Sequence, residues 1–112
     1  MSKMQRDKGA RWEREVAKRL EAAMPGSGAQ RAMGQARGGG EAPDVIVPGR
    51  YWVECKVGAR PPLVRALEQA ERDRGDRDEV AIAVVKQDRQ APMVLLRLAD
   101  FEALVARDWR RT

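Results

Sequence analysis

The hydrophobic positions change their period several times along the chain, and each change marks an element. Between residues 7 and 24, Trp12, Val16, Ala17, Leu20, Ala23 and Met24 recur at helical spacing. At about 100° per residue they share an arc of about 140°, which predicts an amphipathic helix. Its polar side holds Arg11, Arg14, Glu15, Lys18, Arg19 and Glu21, whereas Glu13 falls inside the apolar arc. A carboxylate on the core-facing side of a helix is costly unless a metal, a lysine or a hydrogen-bonded partner meets it. Glu13 is therefore a candidate site residue, and Glu15 is not.

Residues 25–42 are glycine-rich and carry Arg31 and Arg37, with a brief edge strand expected over Ala29 to Ala32. The period then switches to two. Asp44 to Val47 is a short β-branched run, Pro48-Gly49 is a turn signal, and Tyr51 to Val57 alternates, so a β-hairpin is predicted. After Pro61-Pro62, helical spacing returns from Leu63 to Arg74, with Leu63, Ala66, Leu67 and Ala70 on one face and Gln69 at its edge. Gly75 and the charged run Asp76 to Glu79 stop that helix. Val80 to Val85 is continuously apolar, as in a strand covered on both faces. A turn around Gln87 to Pro92, a strand from Met93 to Leu98 and a last helix capped by Asp100, with Phe101, Leu104 and Val105 on one side, complete the pattern. The chain ends in a basic tail, Trp109-Arg110-Arg111. The order predicts one α/β domain over residues 1–112, with a mixed central β-sheet flanked by helices.

Composition narrows the chemistry. With 112 residues there is room for one modest core. Lysine and arginine total 22 against 17 acidic residues, a net charge of +5 that favours a polyanionic partner, nucleic acid first. No apolar run is long enough to span a bilayer, and MSKMQRDKGARWE has no apolar signal-peptide segment, so a cytoplasmic protein without membrane contact is expected. Cys55 is the only cysteine and histidine is absent. That excludes an intrachain disulfide, a Cys/His zinc site and Ser-His or Cys-His catalysis. Carboxylates and lysines remain.

The hairpin gathers them. Asp44 stands ten positions before Glu54, and Lys56 follows two positions later. Side chains two apart share a strand face, so Glu54 and Lys56 project together while Val53, Cys55 and Val57 face the opposite way. The return of the hairpin brings Asp44 level with Glu54. Two carboxylates and an ammonium on one patch suit a Mg²⁺-dependent phosphodiesterase. Glycines in the preceding loop permit close approach to a phosphate, which Arg31 and Arg37 can pair with.

Pro43-Asp44 followed by Glu54-Cys55-Lys56 resembles the PD-(D/E)xK nuclease superfamily. Lys8 to Leu20 (KGARWEREVAKRL), then Arg31 and Gly34, then the hairpin motif, are similar in order to the archaeal-type Holliday junction resolvases, over roughly residues 8–57. The resemblance implies a restriction-endonuclease-like fold and catalytic roles for Glu13, Asp44, Glu54 and Lys56. It places Mg²⁺, with Mn²⁺ able to substitute, on Glu13, Asp44, Glu54 and the backbone carbonyl of Cys55. DNA contacts fall on Arg11, Arg14, Arg31 and Arg37, and Gln69 is a possible accessory. The family has a serine after the glycine matching Gly34, where this chain has Gln35 and a Gly38-Gly39-Gly40 insertion. The implied activity is resolution of four-way DNA junctions by paired symmetric nicks. A junction's two-fold symmetry calls for a homodimer, whose expected patch is the Met93 to Leu98 strand with the Phe101 to Val105 helix. Another nuclease of the superfamily, of restriction-like or repair-nicking type, is the alternative, and a DNA-binding module with a vestigial site is a third.

Overall fold

The structure, a computed structural model, describes residues 2–32 and 42–112. Its elements are α1 (Lys3–Ala23), β1 (Gln30–Arg31), β2 (Val45–Val47), β3 (Tyr51–Gly58), α2 (Leu63–Arg74), β4 (Val80–Gln87), β5 (Met93–Leu95) and α3 (Leu98–Arg111). One sheet runs β1-β2-β3-β4-β5, antiparallel throughout except at the central β3–β4 pair. Parallel neighbours need a crossover, and α2 supplies it. This is the α/β arrangement with a mixed sheet and flanking helices that the changes of period predict. No helix among the described residues is long and apolar enough to cross a membrane.

Alternation along β3 separates two apolar layers. Val53 and Cys55 join Val45, Ile82 and Val84 beneath Trp12, Val16 and Ala17 of α1. Trp52 turns to the opposite face with Ala81 and Ala70, and Ala83 and Val85 pack there against Ala66 and Leu67 of α2. The indole N–H of Trp12 donates to the Val84 carbonyl at 3.3 Å, which fixes α1 over the sheet.

The hairpin turn is fixed from outside as well as within. Arg50 N–H donates to the Val47 carbonyl at 2.9 Å, closing a turn with Pro48 second and Gly49 third. Gly49 has φ 72°, the left-handed conformation that the third turn position requires and that glycine adopts without strain. Glu79 is only 5% exposed and accepts the Gly49 N–H at 3.1 Å. Its carboxylate is balanced by Arg77 at 3.0 Å, whose guanidinium lies 5.2 Å above the Trp52 ring. The run Asp76 to Glu79 thus does more than stop α2: it clamps the turn that sets the β2–β3 register.

Several expected boundaries shift for local reasons. α1 starts at Lys3 rather than near residue 7, because Ser2 and Gln5 form a reciprocal capping box. Within its apolar arc Ala23 is exposed, as is Leu63 of α2. β4 continues to Gln87, alongside the full length of β3. β5 stops at Leu95 rather than Leu98. Leu96 turns into the layer beneath α1, and Arg97 is held by Glu71 at 2.7 and 2.8 Å. Asp100 lies in the first turn of α3, where its charge suits the helix N-terminus, but Arg97 is the N-cap and makes no side-chain cap. The expected tail is helical through Arg111. α3 buries no residue, and Leu98, Phe101, Val105 and Trp109 remain exposed.

Candidate active site

β2 is shorter than β3, and the site occupies the fork where the two part. Their pairing begins at Val45 opposite Val53. One residue earlier, Asp44 donates its N–H to the Val53 carbonyl at 3.0 Å and accepts the Cys55 N–H on Oδ2 at 2.9 Å. The carboxylate thus takes over the hydrogen bond that a continuing strand would have made. Within a strand the N–H and C=O of one residue leave by the same edge, so the Cys55 carbonyl also points into the fork. Asp44 is level with Glu54, as the hairpin predicts.

Glu54 and Lys56 share a face, with Nζ 3.3 Å from Oε2. Glu54 is 3% exposed. Burial and then the neighbouring Asp44 charge push its carboxyl up from the ordinary 4.5 to about 7, against the pull of Lys56. Cys55, on the other face, is buried, and burial followed by the surrounding carboxylates raises its thiol well above the ordinary range. It is a core residue and not a nucleophile.

Glu13 reaches the fork from α1. Arg31 pairs with Val45 across the β1–β2 ladder, which puts its side chain on the α1 side of the sheet. There its Nε and Nη2 both donate to Glu13 Oε1, at 3.1 and 3.0 Å. Glu13 is raised by burial first and by Asp44 second, while Arg31 and Lys56 oppose the shift. Groups from both faces therefore meet around the free edge of β3, in a cleft of about 720 Å³ that Gln69 of α2 also lines. Arg11 and Arg14 are exposed and do not line it. Arg37 lies outside the described residues. Five lining residues are absent from the sequence-based set: Gln5, Arg6, Gly9 and Ala10 belong to the early turns of α1, and Val57 to β3. The capping box marks the start of that helix, and Gly9 and Ala10 fall within the Lys8 to Leu20 run that carries the resemblance.

Among the described residues no group of three or more His, Cys, Asp or Glu side chains is drawn together as a ready metal cage. The donors nevertheless fit Mg²⁺, which needs one or two carboxylates and fills its remaining positions with water and substrate oxygens. Asp44 and Glu54 are such a pair, both hard oxygen donors, and their mutual repulsion favours a cation or a proton between them.

Glu54 makes stability depend on pH. Its folded-state value lies above the unfolded one, so its contribution is complete below about pH 4.5 and is lost as pH rises through about 7. At pH 8 without metal, Glu54→Gln is expected to be more stable than the parent by on the order of 2 kcal/mol, allowing for screening in the open cleft. At pH 4.5 the difference should vanish. Thermal melting at the two pH values checks this, and equal behaviour at both contradicts the buried-carboxylate assignment.

Comparison of the chain with protein-family models, with curated proteins and with solved structures gives no match.

Proposed function

We propose that the protein is a Mg²⁺-dependent DNA endonuclease of PD-(D/E)xK type, with a restriction-endonuclease-like fold, selective for four-way junctions. The observation that carries the proposal is the fork: Asp44 is locked by the Cys55 N–H beside the buried Glu54, and Lys56 stands on the same face. The net charge of +5 suits a polyanionic substrate.

Asp44, Glu54 and the Cys55 carbonyl would hold the metal, with Glu13 adding a carboxylate once it parts from Arg31. When bound, Mg²⁺ supplies a Lewis acid and lowers the pKa of a water. Lys56 then orients the attacking water and offsets charge developing on the phosphate. Arg31, released from Glu13, pairs with a phosphate oxygen. Gln69 is placed to hydrogen-bond water or substrate from the α2 side of the cleft.

Paired nicking needs two sites in fixed relation, and one chain supplies one. The exposed apolar side chains of β5 and α3, Met93, Val94, Phe101, Val105 and Trp109, support a homodimer through this face. The double variant Phe101→Asp, Val105→Asp is expected to sediment as a monomer and to lose coordinated nicking, keeping single cuts. Purified protein with Mg²⁺ should nick opposing strands of a four-way junction at symmetric positions, about 10-fold or more faster than matched linear duplex. A monomer at working concentration, with and without junction, that cuts linear duplex equally fast overturns junction resolution and leaves a generic nuclease of the superfamily.

A further inference from the structure

Another cavity, of about 450 Å³, opens between the hairpin turn and α3. Pro48, Gly49 and Arg50 form one wall, and Leu104 and Arg107 the other. It shares no lining residue with the carboxylate cleft and lies at the opposite end of the hairpin, about 16 Å along β3 from Tyr51 on its rim to Lys56. Both walls are set by the fold. Arg50 donates its N–H to the Val47 carbonyl at 2.9 Å, and its own carbonyl accepts the Val80 N–H at 2.8 Å, which fixes its backbone on both sides. Across the cavity, Leu104 alone among residues 101–112 is not exposed, and Arg107 follows it by one turn on the same side of α3.

Arg50 and Arg107 are exposed, and among the described residues neither guanidinium is held by a hydrogen bond or an ion pair. Arg31, Arg77 and Arg97, by contrast, are taken by Glu13, Glu79 and Glu71. Two unpaired cations that converge on one cavity repel each other, and an anion between them relieves the repulsion. Asp78 is the carboxylate on the rim and also attracts Arg77, so it offsets the pair only in part. A guanidinium presents its donors in a planar fork that matches the oxygens of a phosphate. The volume exceeds what a phosphate ion fills and falls in the range of small-molecule sites. Half-buried Tyr51 and Val80, with Leu104, add apolar surface beside the two cations.

We propose that this cavity is a phosphate-binding site separate from the carboxylate cleft, taking a nucleoside phosphate whose phosphate lies between Arg50 and Arg107 and whose sugar and base rest on Tyr51, Val80 and Leu104. No residue of the carboxylate cleft takes part, so the site stands whether or not the protein cuts DNA. A free mononucleotide and a phosphate within a DNA strand offer the two arginines the same chemistry, and the test separates these two sources.

Amide NMR of the full chain, titrated with thymidine monophosphate or with a short oligothymidylate in chelator, tests the site without metal at the carboxylates. The Gly49, Tyr51 and Leu104 amides are expected to shift saturably, with a Kd of about 1 mM or tighter. Thymidine without its phosphate should leave them in place. Arg50→Gln and Arg107→Gln should each weaken binding about 10-fold, whereas Arg110→Gln, at an exposed arginine of α3 outside the cavity, should stay within about 2-fold. Neither cavity variant should change the melting temperature, because neither guanidinium holds the fold; should one fail to fold, the other decides. Saturation by the monophosphate makes the ligand a free nucleotide, and saturation by the oligothymidylate alone makes it a strand. No saturable shift at these amides with either probe at about 10 mM overturns the site. Equal weakening by all three arginine variants also overturns it, since that reports only attraction to the net charge of +5.

Discussion

Asparagine in place of Asp44 is expected to lower Mg²⁺-dependent DNA cleavage by about 10³-fold or more, while leaving the fold intact. The amide oxygen of asparagine can still accept the Cys55 N–H, so the hairpin keeps its register and the charge alone is lost. Glu54→Gln and Lys56→Ala should fall in the same range, because in the proposed mechanism the three groups act on one phosphate. DNA binding should persist or tighten in the two carboxylate variants as repulsion of phosphate falls. Ca²⁺ should support binding without cutting, since its looser coordination orients the water poorly. Gel assays of labelled junction across the series check this, and full activity of Asp44→Asn or Glu54→Gln in Mg²⁺ removes the assignment.

The second large effect separates two glutamates on one helix. Glu13→Gln is expected to reduce cleavage about 100-fold without unfolding the protein, whereas Glu15→Gln stays within about 2-fold. The Glu13 side chain is 24% exposed and held by Arg31, while that of Glu15 is 56% exposed with Arg19 at 3.9 Å. Glutamine at 13 keeps an oxygen for Arg31 and loses the charge. Single-turnover rates with circular dichroism on both variants check the pair, and equal damage from both contradicts the role of Glu13.

How much of this was legible in the sequence follows from which interactions are local. The β2–β3 hairpin was readable because alternation and Pro48-Gly49 are both short-range signals, and they put Asp44 level with Glu54. Helical phase alone separated Glu13 from Glu15. The early start of α1 was also written locally, in Ser2 and Gln5, yet a search for apolar periodicity passes over a segment that buries nothing. Partnerships across the sheet had no such signal. Glu79 supports a turn thirty residues earlier at Gly49, and as sequence it reads only as part of a charged run. The Glu13–Arg31 pair depends on β1 joining β2, and the cleft depends on β2 ending before β3. β5 looked longer than it is because Leu96 and Leu98 continue its apolar run, whereas Leu96 packs beneath α1 and Leu98 opens α3.

The central claim is that Asp44 and Glu54 together hold a divalent cation, and calorimetric titration of Mg²⁺ tests it most directly. Glu54 must lose its proton before it can ligate. With that carboxyl pushed up to about 7, binding at pH 6.5 should release a substantial fraction of one proton, detected as a heat that varies with the buffer's ionisation enthalpy. At pH 8.5 release should nearly vanish, and Glu54→Gln should show neither the release nor saturable binding in the same Mg²⁺ range. Saturable binding by the parent with this pH dependence is the expected result. Absence of binding at millimolar Mg²⁺, or binding unchanged by Asp44→Asn and Glu54→Gln, would contradict the metal site and the hydrolytic mechanism built on it.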